Sequence, residues 1–88
     1  MNVAYKSKIL TATGALKNDT GILKGIVINS HTGGTLKLWD SLSGAGTVLH
    51  ETITFAVGER FIDMFDETFQ VGCFATIGGV ANITFIYK

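Results

Sequence analysis

The stretch from Thr68 to Lys88 (TFQVGCFATIGGVANITFIYK) constrains the fold more than any other part of the chain. It holds two runs rich in β-branched and aromatic residues on either side of Gly78-Gly79. Two-residue hairpin turns need positive φ, which glycine adopts without steric cost, so the pair predicts a hairpin turn. With that turn, Ile77 faces Val80 and the two-residue side-chain period fixes the other pairings. One face carries Gly72 with Phe85, Phe74 with Ile83, and Tyr87. The other carries Val71 with Ile86, Cys73 with Thr84, and Ile77 with Val80. Both faces are apolar, whereas a sheet wetted on one side alternates apolar with polar. Val71, Ile77, Val80 and Ile86 are therefore expected to line a contact with another chain or a second sheet.

The rest of the chain has the same grain. Proline is absent, and glycine supplies most of the punctuation. Between breakers lie runs over Ala4 to Thr13, Gly21 to Asn29, Thr35 to Asp40, Thr47 to Phe55, Arg60 to Phe65, Thr68 to Ile77 and Val80 to Tyr87. The connections carry Gly, Asn, Asp and Ser, which turn a chain for identifiable backbone reasons. In Thr35 to Asp40, Leu36 and Leu38 share a side opposite Lys37 and Trp39. In Thr47 to Phe55, Leu49, Ile53 and Phe55 fall together. Gly21 to Asn29 is apolar on both sides, with Ile22, Ile26 and Ile28 opposite Leu23 and Val27, as in a central strand or at a subunit contact. Ala12 to Asn18 admits a helical turn, and Phe61, Met64 and Phe65 have the spacing of a short helix, although the flanking β runs favour a strand there. The expectation is one all-β domain over residues 1–88, a small antiparallel β-sandwich (jelly-roll-like) of about seven strands. Residues 1–8 form either an N-terminal arm or an edge strand.

Composition narrows the function. At 88 residues the chain has one cysteine, so no intrachain disulfide staples it, and no Cys/His spacing marks structural zinc. Cys73 reads as a small inert hydrophobe. Seven basic and seven acidic residues cancel, and no Lys/Arg cluster offers the counterion exchange that nucleic acid requires. No apolar run approaches the roughly 18 residues that span a bilayer, and the start lacks a signal-peptide pattern. Charged residues make up 16%, against about a quarter in ordinary domains, which leaves much neutral surface and favours assembly.

No constellation of catalytic residues stands out. Asp63, Asp66 and Glu67 are the one acidic cluster, but their spacing matches no calcium loop, so they read as solvated turn carboxylates. His31, in a Ser-His-Thr-Gly-Gly turn, and His50, on a strand, read as surface or partly packed. Ser41 and Ser43 flank glycines without a Gly-x-Ser-x-Gly elbow, and no phosphate loop follows. Trp39, with Lys37 and Asp40 beside it, is expected half-buried between strands or at a subunit contact, with sugar stacking as the other reading. No catalytic, cofactor or metal site is expected.

Four segments, GILKGIVIN (Gly21 to Asn29), GTLKLWD (Gly34 to Asp40), GTVL (Gly46 to Leu49) and ANITFIYK (Ala81 to Lys88), together resemble short phage virion β-sandwich proteins of the capsid cement or decoration type. The resemblance covers most of the chain after about residue 20 and rests on strand-and-turn patterning. It implies a homo-oligomer, a trimer in many such proteins, bound to the major capsid protein on the surface of the virion, and it brings no catalytic positions. The contact residues expected are Val71, Ile77, Val80, Ile86 and Trp39. The alternative is a fibre-tip or carbohydrate-binding module of a virion.

Overall fold

A computed structural model describes residues 4–58 and 60–88. Its described residues form six strands and no helix: β1 (Lys6–Leu10), β2 (Gly14–Lys17), β3 (Gly21–Asp40), β4 (Thr47–Thr54), β5 (Phe61–Phe69) and β6 (Cys73–Tyr87). All pairings are antiparallel. The fold is all-β, as the alternation of side chains predicts. Six strands are found where about seven were expected: two expected turns lie inside strands, which removes two, and residues 14–17 add β2 where a connection was expected.

Gly78-Gly79 does not reverse the chain. It lies inside β6, and the whole of β6 runs along β3, from Leu23 opposite Tyr87 to Trp39 opposite Phe74. The expected Ser30 to Gly34 turn lies inside β3 at the same level, with Thr32 opposite Val80 and Thr35 opposite Gly78. The ladder shifts register there, and Gly33 and Gly79 both take positive φ, 59° and 68°. Positive φ in glycine thus serves a paired bulge in place of a hairpin turn. A bulge of this kind bends the strands. The 20 residues of β3 would reach about 66 Å if straight, yet the longest dimension of the molecule is 38 Å.

The bend crosses the entire sheet along one line. β1 and β2 run in succession along β6, and Thr13 between them exchanges hydrogen bonds between its hydroxyl and the backbone N–H and C=O of Ile77 (3.0 and 3.3 Å). β4 and β5 run in succession along β3, and their link is held at the same level: Phe55 N–H donates to Gly34 C=O (3.1 Å) and Ile28 N–H to Arg60 C=O (2.6 Å). His31 completes this seam. Its Nε2–H donates to Ala56 C=O (2.9 Å), and its ring meets Phe55 edge-on at 5.5 Å.

Folding along this line makes two four-stranded layers. The first has the order β1, the C-terminal half of β6, the N-terminal half of β3, then β5. The second has β2, the N-terminal half of β6, the C-terminal half of β3, then β4. Their inner faces share one apolar cluster, including Leu23, Ile26, Ile28, Phe69, Ile83 and Phe85 from the first layer and Leu16, Leu36, Leu38, Cys73 and Ala75 from the second. Leu23 was expected opposite Ile26, but a bulge between Leu23 and Gly25 shifts the phase and turns both inward. Residues 12–18 hold β2 and no helical turn, and residues 61–69 are strand, as preferred. Within 1–8, β1 is an edge strand from Lys6 onward, and residues 1–3 lie outside the described ones.

Candidate functional site

The four residues expected to share one face do not share it. Ile77 packs against the core, so the opposing layer covers it. Ile86 lies half-buried on the outer side of the first layer. Val80 stands at the fold line, 68% exposed, and Val71 in the β5–β6 turn, 53% exposed. The hairpin that was expected to align them is absent, since β6 pairs with β1, β2 and β3 and never with itself.

The outer side of the first layer is nevertheless apolar, through other residues. One row across the four strands reads Ile9, Thr84, Val27, Phe61, and the next reads Ser7, Ile86, Gly25, Asp63. Ile9 is 60% and Phe61 52% exposed. The Phe61 ring lies across Gly25, close enough that a Cβ there would stand 2.9 Å from Cζ. The polar groups beside the central row are neutral and bond to one another, Asn29 Nδ2 donating to Asn82 Oδ1 (2.9 Å) and Thr84 Oγ1 (2.8 Å), and the charge on this side is that of Asp63 in the next row. Periodicity set Val27 opposite Ile26 and Ile28 and put Ile86 on the expected contact face. The parts played by Ile9 and Phe61 needed the register.

The second layer's outer side is built differently. Its row Ala15, Phe74, Trp39, Val48 is aromatic, but its groups are already engaged. Trp39 is half-buried, its Nε1–H donates to Thr76 Oγ1 (3.0 Å), and the Lys37 ammonium stands 4.5 Å from the ring centre while pairing with Glu51 at 3.7 Å. Gly44, in the β3–β4 loop, lies over Phe74 and Thr76. Asp40 closes the end of this layer. Its carboxylate accepts the N–H groups of Gln70, Val71 and Gly72 at 2.8–3.4 Å, fixing the β5–β6 turn. Partial burial opposes the charge, but these three donors outweigh it and hold the carboxyl below its ordinary value.

The acidic cluster disperses in space. Asp66 accepts the Tyr5 hydroxyl (3.0 Å), which, with some desolvation and the carboxylate's charge, raises the phenol. Lys24 and Lys88 stand 5.0 and 4.5 Å from the Tyr5 ring centre. Asp63 Oδ1 accepts the Phe65 N–H (2.7 Å). Glu67 turns into a cleft between the facing edges of β4 and β5, which it lines with His50, Asp63, Met64 and Phe65. Among the described residues no three His, Cys, Asp or Glu side chains converge as metal ligands. Ser41 Oγ accepts the Ser43 N–H, and both histidines bond to backbone, so no serine–histidine pair forms among the described residues. Cys73 is fully buried, and burial, then the charges of Asp40 and Glu67, push its thiol up to about 12. It stays protonated and inert.

Comparison with family models, with curated proteins and with solved structures finds no match. The reading of function therefore rests on the surfaces just described.

Proposed function

We propose that this protein is a structural virion protein that reinforces a phage head, binding as a homo-oligomer, most simply a trimer, between subunits of the major capsid protein. The observation that carries the reading is the outer side of the first layer, where Ile9 and Phe61 stand exposed on a field with no charged group in its central row. Solvated sheet faces alternate apolar with polar or charged residues, and contiguous neutral apolar patches mark protein contacts. Covering each such side chain contributes about 1.5–3 kcal/mol, a large share of the marginal stability of so small a domain.

Strand order adds fold-level support. Counted as eight half-strands along the chain, the layers have the orders 1-8-3-6 and 2-7-4-5. We read this as jelly-roll connectivity, an architecture common to viral capsid and lectin domains, which by itself chooses neither role. The carbohydrate-binding alternative has less in its favour, because Lys37 and Thr76 already occupy the ring face and the N–H of Trp39 that a sugar would use.

Light scattering across a concentration series tests assembly. A constant oligomeric mass that falls to the monomer in the double variant Ile9→Lys/Phe61→Lys supports the proposal, and a wild-type monomer at all concentrations overturns it. Co-sedimentation with capsids assembled from a candidate phage major capsid protein tests the partner. Glycan-array binding that disappears in Trp39→Ala would establish the alternative in its place.

A further inference from the structure

The cleft between β4 and β5 has a composition that its surroundings do not explain. Its volume is about 270 Å³, and its polar side chains are those of His50, Asp63 and Glu67. Glu67 Oε1 is wholly buried yet receives no hydrogen bond. A buried carboxylate oxygen without a donor costs free energy, so such an atom calls for a partner. His50 Nδ1 is bonded to Glu51 C=O at 2.9 Å, and a carbonyl only accepts, so Nδ1 donates; in the tautomer with that one proton, Nε2 is an acceptor. Asp63 adds a carboxylate whose Oδ1 is held by the Phe65 N–H.

Among the described residues no lysine or arginine pairs with these groups. Lys24 is turned to Tyr5, and Lys37 to Trp39 and Glu51. At the mouth of the cleft the backbone takes positive φ at two consecutive non-glycine residues, Phe65 (53°) and Asp66 (54°), within a bulge that sets Met64 into the core and leaves Phe65 84% exposed. The site thus pairs an unsatisfied anion with an aromatic ring at the surface.

We propose that this cleft is a guanidinium-binding site, which takes an arginine side chain presented by a partner protein. A metal ion fits poorly, since no three ligands converge among the described residues. An ammonium is compact and strongly hydrated. A guanidinium is planar, loses its water more readily, presents several N–H donors to divergent acceptors, and stacks on aromatic rings. Glu67 Oε1 is the primary acceptor, His50 Nε2 and Asp63 the flanking ones, and Phe65 covers the bound plane.

The test is an amide NMR titration with N-acetyl-arginine methylamide against its neutral isostere N-acetyl-citrulline methylamide. Saturable shifts confined to residue 50 and residues 63–67, at least tenfold weaker binding of the citrulline compound, and loss of the response in Glu67→Gln support the site. Asp66→Asn, whose carboxylate serves Tyr5, should retain the response. If Glu67→Gln fails to fold, Glu67→Asp, which draws the carboxylate back from the cleft, reads the same loss. Equal response to both compounds, or arginine binding that survives the loss of Glu67, overturns the proposal.

Discussion

The two outer sides of this protein are made by the same two central strands, β3 and β6, yet they are finished in opposite ways. On the second layer the large groups are already engaged: Trp39 by Thr76 and Lys37, and Phe74 by the loop through Gly44. On the first layer, Ile9 and Phe61 have nothing over them, and the polar groups beside them, Asn29, Asn82 and Thr84, bond to one another. A self-satisfied polar set next to bare apolar groups loses little on drying, which suits an association face. A cation stacked on an indole is suited to remain in water. The difference arises at the fold line, which sends alternate halves of one strand to different layers with different edge strands beside them.

The comparison collapses if the fold line fails. Gly79→Val places a β-branched residue at a φ of 68° and drives its Cβ into the Gly33 carbonyl. The expected loss is about 3 kcal/mol or more, read by denaturant unfolding, and both sides should be lost together. A stable Gly79→Val variant would show that the bend does not depend on this bulge. The contrast between sides is sharpened by a matched pair. Phe61→Lys should weaken self-association at least tenfold, about 1.4 kcal/mol, in sedimentation equilibrium, whereas Thr76→Lys on the other side should leave it unchanged.

Trp39→Ala reads the second side alone. Removing a half-buried indole with its hydrogen bond and its lysine should cost about 1–2 kcal/mol of folding stability without altering assembly. An altered oligomeric mass would instead place Trp39 in the contact. The smallest effect is expected at Asp40. Its folded-state value lies below the ordinary 3.8, so its contribution is present above that value and fades as pH falls through the lower, folded one. Between pH 5 and pH 2, Asp40→Asn should show less acid destabilisation than the wild type, by about 1 kcal/mol or less for so exposed a group. Parallel pH curves for the two proteins would remove the carboxylate's charge from the account.

Much of the architecture is legible in the sequence because it depends on local alternation. Leu36 and Leu38 point inward opposite Lys37, and Leu49, Ile53 and Phe55 face the core together. Trp39 is half-buried. Gly78-Gly79 misleads for a specific reason. A hairpin turn and a bulge opposite another glycine both require the left-handed conformation, and local sequence cannot tell them apart. What decides is β3, far away in the chain, with Gly33 at the matching level. Leu23 misleads for a related reason, since a bulge resets the phase that periodicity assumes constant. His50 and Glu67 read as surface groups because nothing local reveals that the edges of β4 and β5 come to face one another.

The position of β6 has a further consequence for how the chain acquires its structure. It is central in both layers, it follows every other strand in sequence, and its end at Tyr87 pairs with Lys6 as well as Leu23. Until it arrives, β3 lacks a neighbour on one side in both layers, and β1 and β2 lack any neighbour. Closing such distant pairings is slow, on the order of milliseconds to seconds for folds of this kind, and the two layers should appear in one cooperative step rather than in turn. During synthesis the earlier apolar strands therefore wait unpaired until β6 emerges, and rapid burial of that interval's exposed surface becomes a requirement on the sequence in its own right.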